Sequence, residues 1–189
     1  MYWAAEELRP QVVLPANNEG MKRLGIAFGI TCSHLLNSVV AFEFQEYELS
    51  KIGVSESVAL SEFEGSVVVF DFFAHWCKPC YKATPAIHEF VESFKKESMN
   101  DSALNLEMVA VNVDGSSEAR TKRFVERMKL EEAFQDDDGK FFEELGQNEG
   151  LPLVVVIDLR KGWSSSSVVY RSVGFPNFKE LKAELEDLG

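Results

Sequence analysis

Residues 67–80 read VVVFDFFAHWCKPC, an apolar run broken by Asp71 and His75 and closed by two cysteines with Lys78 and Pro79 between them. So continuous a stretch of β-branched and aromatic side chains predicts a strand over Ser66–Phe73, buried on both faces. A strand of that kind must be covered by helices on each side, which confines the chain to an α/β sandwich. After Cys77 the apolar positions Tyr81, Ala86, Ile87, Phe90, Val91 and Phe94 recur mostly at three-four spacing. They predict a helix of about five turns ending near Lys95-Lys96, kinked at Pro85.

The remaining segments extend this pattern. Residues 44–65 read as a hairpin around Gly53 and a turn over Leu60–Gly65. Leu106–Val113 and Leu153–Leu159 are apolar enough for buried strands, and Val168–Val173 is a further strand. Ser117–Leu130, Phe141–Leu145 and Phe178–Leu188 have helical periodicity. Ser164–Ser167 reads as a hairpin turn and Asp136–Asp138 as a solvated loop. Strands alternate with helices early and a strand pair with a helix comes late, so the sheet should be mixed. No internal repeat or linker divides residues 42–189, which are taken as one domain.

The formal net charge is −12 over 189 residues. That excludes general nucleic-acid binding, which needs a basic face, and disfavours docking on anionic lipid. It also points to partners that are not strongly acidic. With three cysteines, Cys32, Cys77 and Cys80, a four-thiolate zinc site within one chain is impossible. His34, His75 and His88 belong to no second paired motif, so no metal is expected.

The first 41 residues are read as a leader. Residues 1–20 have no clear period and form a possible over-called start before Met21. Met21-Lys22-Arg23 and the apolar stretch to Val39-Val40-Ala41 follow the plan of a secretory signal peptide cut before Phe42. A retained membrane anchor over 21–41 and an ordinary leading segment of a cytoplasmic protein stay open beside it. Cys32 is read as an ordinary residue of the apolar segment.

Placed at the end of a buried strand and in the first turn of a helix, Cys77 would face unpaired N–H groups and the positive end of the helix dipole. Both favour a thiolate over a thiol, whose free pKa is about 8.5. Cys80, three residues on, falls on the same helical face, and the two sulfurs can close a small disulfide ring. Pro79 sits where its missing N–H does no harm. The arrangement suits exchange, with an exposed Cys77 attacking and a shielded Cys80 resolving the mixed disulfide. Half of a zinc site and a structural disulfide are the alternatives that a lone Cys-x-x-Cys leaves open.

The segment Phe70–Cys80 resembles the thioredoxin active site: an apolar strand, an acid, aromatics, Ala, then Trp-Cys-x-x-Cys. Pro85 is similar to the proline of that family's active-site helix, and Gly150-Leu151-Pro152 to its cis-proline loop. The lead-in ELSKIGVSESVALSEFEG, the strand MVAVNVD with a charged helix after it, and LVVVIDLRKG are similar to TlpA/ResA-like proteins. The resemblance implies a thioredoxin-like fold: a central mixed β-sheet flanked by helices, an N-terminal hairpin, and an extra helix after the second core strand. It implies a thiol:disulfide oxidoreductase with no cofactor beyond a Cys77–Cys80 disulfide, working outside the cytoplasm as a reductant, often in cytochrome c maturation.

Carried over by residue, Cys77 is the nucleophile, Cys80 the resolving thiol and Asp71 a buried acid that takes the Cys80 proton. Trp76, Lys78, Pro79, Leu151 and Pro152 would form the substrate-docking surface, with Pro152 cis. Partners would be protein dithiols or disulfides and an upstream electron donor, and the chain a monomer. Two positions depart from the pattern. Ala110 stands where the family often has a lysine beside the acid, and Leu153 where it often has threonine. His75 reads as an exposed spectator. A peroxiredoxin-type peroxidase is disfavoured by the absence of its Pro-x-x-x-Thr/Ser run. A binding module that keeps the fold without turnover, and an oxidising or isomerising disulfide protein, are the alternatives.

Overall fold

A computed structural model describes residues 44–98, 104–146 and 149–189. The chain divides between Val39 and Val40, and the described residues all belong to the second unit. The leader read over 1–41 lies outside them.

Strands β1 (Glu48–Lys51) and β2 (Ser57–Ala59) form the antiparallel hairpin around Gly53, whose φ of +94° suits a residue without a Cβ. Strand β3 (Val67–Phe73) is buried along its whole length. It is followed by α1 (Cys80–Ser98), β4 (Leu106–Asn112), α2 (Glu118–Met128), β5 (Ala133–Gln135), α3 (Lys140–Gly146), β6 (Leu153–Asp158), β7 (Val168–Val173) and α4 (Phe178–Leu188). The sheet order is β2-β1-β5-β4-β3-β6-β7. β3 lies in the interior beside the central β4, parallel to β4 and antiparallel to β6.

Alternation along β3 divides the core. Val68, Phe70 and Phe72 point to one face, where they meet Phe44, Leu49, Phe141 and Leu145. Val67 and Val69 point to the other and pack with Ala83, Ile87 and Val91 of α1 and Leu181 and Leu185 of α4. Phe73 shares that parity and packs with Phe124 of α2, ring centroids 4.7 Å apart. Asp71 has the same parity, so its carboxyl is turned toward α1 and away from the aromatic face.

One reading changes, at Asp136, and one strand was not read at all. Ala133–Gln135 is a strand, β5, bridging β4 and β1. At three residues between acidic neighbours it is too short to have a period. Asp136 is buried rather than solvated: its carboxylate accepts from the Tyr47 hydroxyl and, at 2.8 Å, from the Phe142 N–H. Those bonds join the hairpin approach to α3. The four serines do lie in the turn of a hairpin, a short 3-10 turn over Ser165–Ser167 joining antiparallel β6 and β7.

Candidate active site

The loop from Ala74 to Pro79 carries the chain from β3 into α1. The helix begins at Cys80, so Cys77 and Pro79 precede it instead of lying within its first turn. Pro79 offers its carbonyl to the N–H groups of Lys82 and Ala83, at 3.0 and 3.1 Å, and so opens the helix. Cys77 is held by its N–H on the Ala74 carbonyl, 3.0 Å. Its sulfur is joined to that of Cys80, S–S 1.99 Å.

The Cys80 N–H points at Cys77 Sγ, 3.2 Å away. That donor, at the positive end of α1, is placed to stabilise negative charge on the sulfur when the disulfide opens. Cys80 is wholly buried, and Cys77 only 3% exposed, less open than the sequence led us to expect. Trp76 is 60% exposed beside it, and Lys78 and Pro79 are exposed as well.

Asp71, two residues before the end of β3, is completely buried, and neither carboxyl oxygen makes a well-aligned hydrogen bond among the described residues. Burial pushes its pKa up to about 7, the Thr84 hydroxyl alongside drawing it back in part. Cys80, Thr84 and His88 recur every four residues on α1 and share a face. His88 Nε2 lies 3.9 Å from Asp71 Oδ2. The imidazole borders a cavity of about 390 Å³ also lined by Glu92, Lys95, Glu107 and Lys129. Ala110 pairs with Asp71 in register across β3 and β4, so no cation reaches the acid from that strand.

His75 is not an exposed spectator: it is 9% exposed, with Nδ1 3.3 Å from Asp114 Oδ2. Burial alone would raise the Asp114 pKa. Hydrogen bonds from the Ser116 N–H and hydroxyl and from Trp76, with the charge of His75, hold it below the usual value. One carboxylate after β4 thus braces both residues that lead into Cys77.

On the other side, the Leu151–Pro152 peptide is cis. Leu151 packs against the cluster holding both cysteines. The Pro152 carbonyl is taken by the Gly174 N–H at 2.7 Å, whereas the Leu151 backbone makes no hydrogen bond among the described residues. Asp71, both cysteines and Trp76 thus gather at the C-terminal end of β3, with Leu151 beside them.

Sequence reasoning missed His88, Thr84 and Asp114. The four-residue repeat from Cys80 was a usable signal for the first two. Asp114 has no such signal, because it reaches the site through the sheet.

A family model described as thioredoxin-like matches residues 65–163. The chain belongs to the thioredoxin-like family. Human nucleoredoxin is 31% identical over 104 residues, 54% of this chain and 23% of that protein. The thiol-disulfide oxidoreductase ResA of Oceanobacillus iheyensis is 30% identical over 88 residues, 47% of this chain and 42% of its own length. The chain therefore spans less than half of either curated relative. Among solved structures, a thiol:disulfide interchange protein DsbE from Chlorobium tepidum is 27% identical, with a TM-score of 0.57 over 77% of this chain and 96% of that one. StoA from Bacillus subtilis, at 18% identity and a TM-score of 0.55, shares the fold over 74% of this chain and 95% of its own.

Proposed function

We propose that this protein is a thiol:disulfide oxidoreductase that exchanges disulfides with protein substrates through Cys77 and Cys80. The observation that carries the reading is the Cys77–Cys80 disulfide between β3 and α1, with the buried Asp71 carboxyl on the face of β3 that α1 covers. In the reductive direction, the Cys77 thiolate attacks a substrate disulfide. One substrate sulfur leaves as thiolate and a mixed disulfide forms. The Cys80 thiol gives its proton to the Asp71 carboxylate and attacks Cys77 Sγ. The second substrate thiolate leaves, and the protein is left oxidised and two electrons poorer. An upstream dithiol returns them.

The exposed Trp76, Lys78 and Pro79 and the half-buried Leu151, with the buried cis-Pro152 behind it, form the docking surface. The unpaired Leu151 backbone would receive the substrate chain as an added strand. The matches to ResA and to DsbE, together with the leader read at residues 21–41, support work outside the cytoplasm as a reductant of the cytochrome c maturation type.

The deciding experiment equilibrates the protein in dithiothreitol and glutathione buffers and counts free thiols. A reversible two-electron couple toward the thioredoxin end, about −270 mV, is expected for a reductant. A couple near −120 mV, about that of a strong oxidant, would redirect the reading to disulfide formation. No couple at all would leave only a binding module. In the same preparation, Cys80→Ser should accumulate mixed disulfides through Cys77, visible as mass adducts released by dithiothreitol.

A further inference from the structure

The chain is acidic overall, at −12, yet the surface beside the dithiol is basic. Arg120, Arg123 and Arg127 follow one another at three- and four-residue spacing on α2, so they share a face, and all are exposed. With His75, Tyr81 and Phe124 they line a cleft of about 480 Å³, and no carboxylate lines it. Its inner wall belongs to the site. His75 and Tyr81 flank the Cys77–Cys80 loop, and Phe124 packs in the cluster that contains both cysteines. The Tyr81 hydroxyl donates to the His75 carbonyl, 3.0 Å, and the Arg127 guanidinium lies 5.4 Å over the Tyr81 ring.

These arginines differ from the others that the structure describes. Arg160 is paired with Asp158 and Arg171 with Glu149. Lys51, Lys95, Lys122, Lys140 and Lys182 also have carboxylate partners, whereas Lys78, Lys82, Lys96, Lys129, Lys161 and Lys179 have none among the described residues. Arg120, Arg123 and Arg127 have none among the described residues, although acids outnumber bases 31 to 19 in the chain. Of the acids near them in the chain, Glu118 is held by Lys122 and Asp114 by His75, Ser116 and Trp76, whereas Glu126 and Glu131 make no ion pair among the described residues and do not line the cleft.

We propose that this cleft docks an acidic segment of the partner protein, flanking the substrate cysteine. The proposal rests on the oxidoreductase reading and names the partner's chemistry. Guanidinium groups match carboxylates in a two-pronged geometry that lysine does not provide. The screening length is about 8 Å at physiological salt, so a segment in the cleft feels the arginines more than the distant acids. The net charge still disfavours a partner acidic throughout. Acidity confined to the segment beside the cysteine satisfies both constraints.

The test uses the full chain, reduced, and two disulfide-bonded peptides that differ only in three flanking residues, Asp/Glu in one and Lys in the other. The acidic peptide should be reduced about tenfold faster at low salt, with the difference fading toward parity near about 0.5 M NaCl. Arg120→Glu/Arg123→Glu/Arg127→Glu should invert the preference and the triple glutamine variant abolish it. Both should retain the wild-type circular dichroism, reduction potential and rate with uncharged hydroxyethyl disulfide. Equal rates for the two peptides at low salt, or a preference that survives the glutamine variant, would overturn the proposal. Failure of the wild type to reduce even hydroxyethyl disulfide would instead bring down the exchange reading, and this one with it.

Discussion

His88 Nε2 stands 3.9 Å from Asp71 Oδ2, across the packing of α1 on β3. Burial pushes the two groups in opposite directions. It holds His88 down at about 4, with Glu92 and Lys95 making smaller, opposed contributions, and lifts Asp71 to about 7. At neutral pH the imidazole is therefore uncharged and the carboxyl is poised between its two forms. In the proposed exchange, a group that takes a proton from Cys80 and releases it again works best near that point. The imidazole also separates the acid from the cavity lined by Glu92, Lys95, Glu107 and Lys129.

Asp71→Asn should slow the resolving step at least about tenfold, since positioned proton transfer is commonly worth 10²–10⁴. Stability should move the other way. The folded pKa of Asp71 is raised, so its neutral form is favoured at low pH and stability falls as pH rises from about 4 through about 7. The whole cost, on the order of 4 kcal/mol at most, is present above pH 7. Urea melts at pH 5 and pH 8 should show the variant gaining over the wild type mainly at pH 8.

His88→Leu should raise the midpoint of the rate-versus-pH profile above that of the wild type. It replaces a polar neighbour of the acid by an apolar one and makes the carboxylate harder to ionise. Single-turnover rates between pH 5 and 9 measure this. An unmoved midpoint would mean that the imidazole does not influence Asp71.

Ala110→Lys should shift the same midpoint down. Position 110 pairs in register with Asp71, and a cation there favours the carboxylate. Because Ala110 is fully buried, the longer side chain should also cost roughly 1–3 kcal/mol in a urea melt.

Asp136→Ala should destabilise the fold by about 1–3 kcal/mol with little change in the reduction potential. The Phe142 N–H and the Tyr47 hydroxyl lose a buried acceptor. Both quantities come from one pair of titrations, in urea and in a thiol buffer. A fall in potential without loss of stability would contradict a purely structural role.

The main elements were legible from residues near one another in the chain. β3 is a buried apolar run, α1 a three-four repeat, and the hairpin turns at Gly53. Cys77-Lys78-Pro79-Cys80 at the strand's end was legible as a pair able to close a disulfide, since both sulfurs belong to one turn. β5 and Asp136 were not legible, because three residues have no period and an aspartate looks solvated until its donors are known.

The sequence by itself determined the strand, the dithiol and the helix that follows, and with them the parity that turns Asp71 toward α1. Only the tertiary structure decided what that acid meets: His88 from the helix, no cation from Ala110, and no well-aligned hydrogen bond among the described residues. It also decided that Asp114 should brace His75 and Trp76, and that three arginines without a carboxylate partner among the described residues should line a cleft with His75 and Tyr81. The physical reason is one of range. Periodicity and turn chemistry act within a few residues, whereas desolvation and ion pairing depend on groups brought together across the sheet.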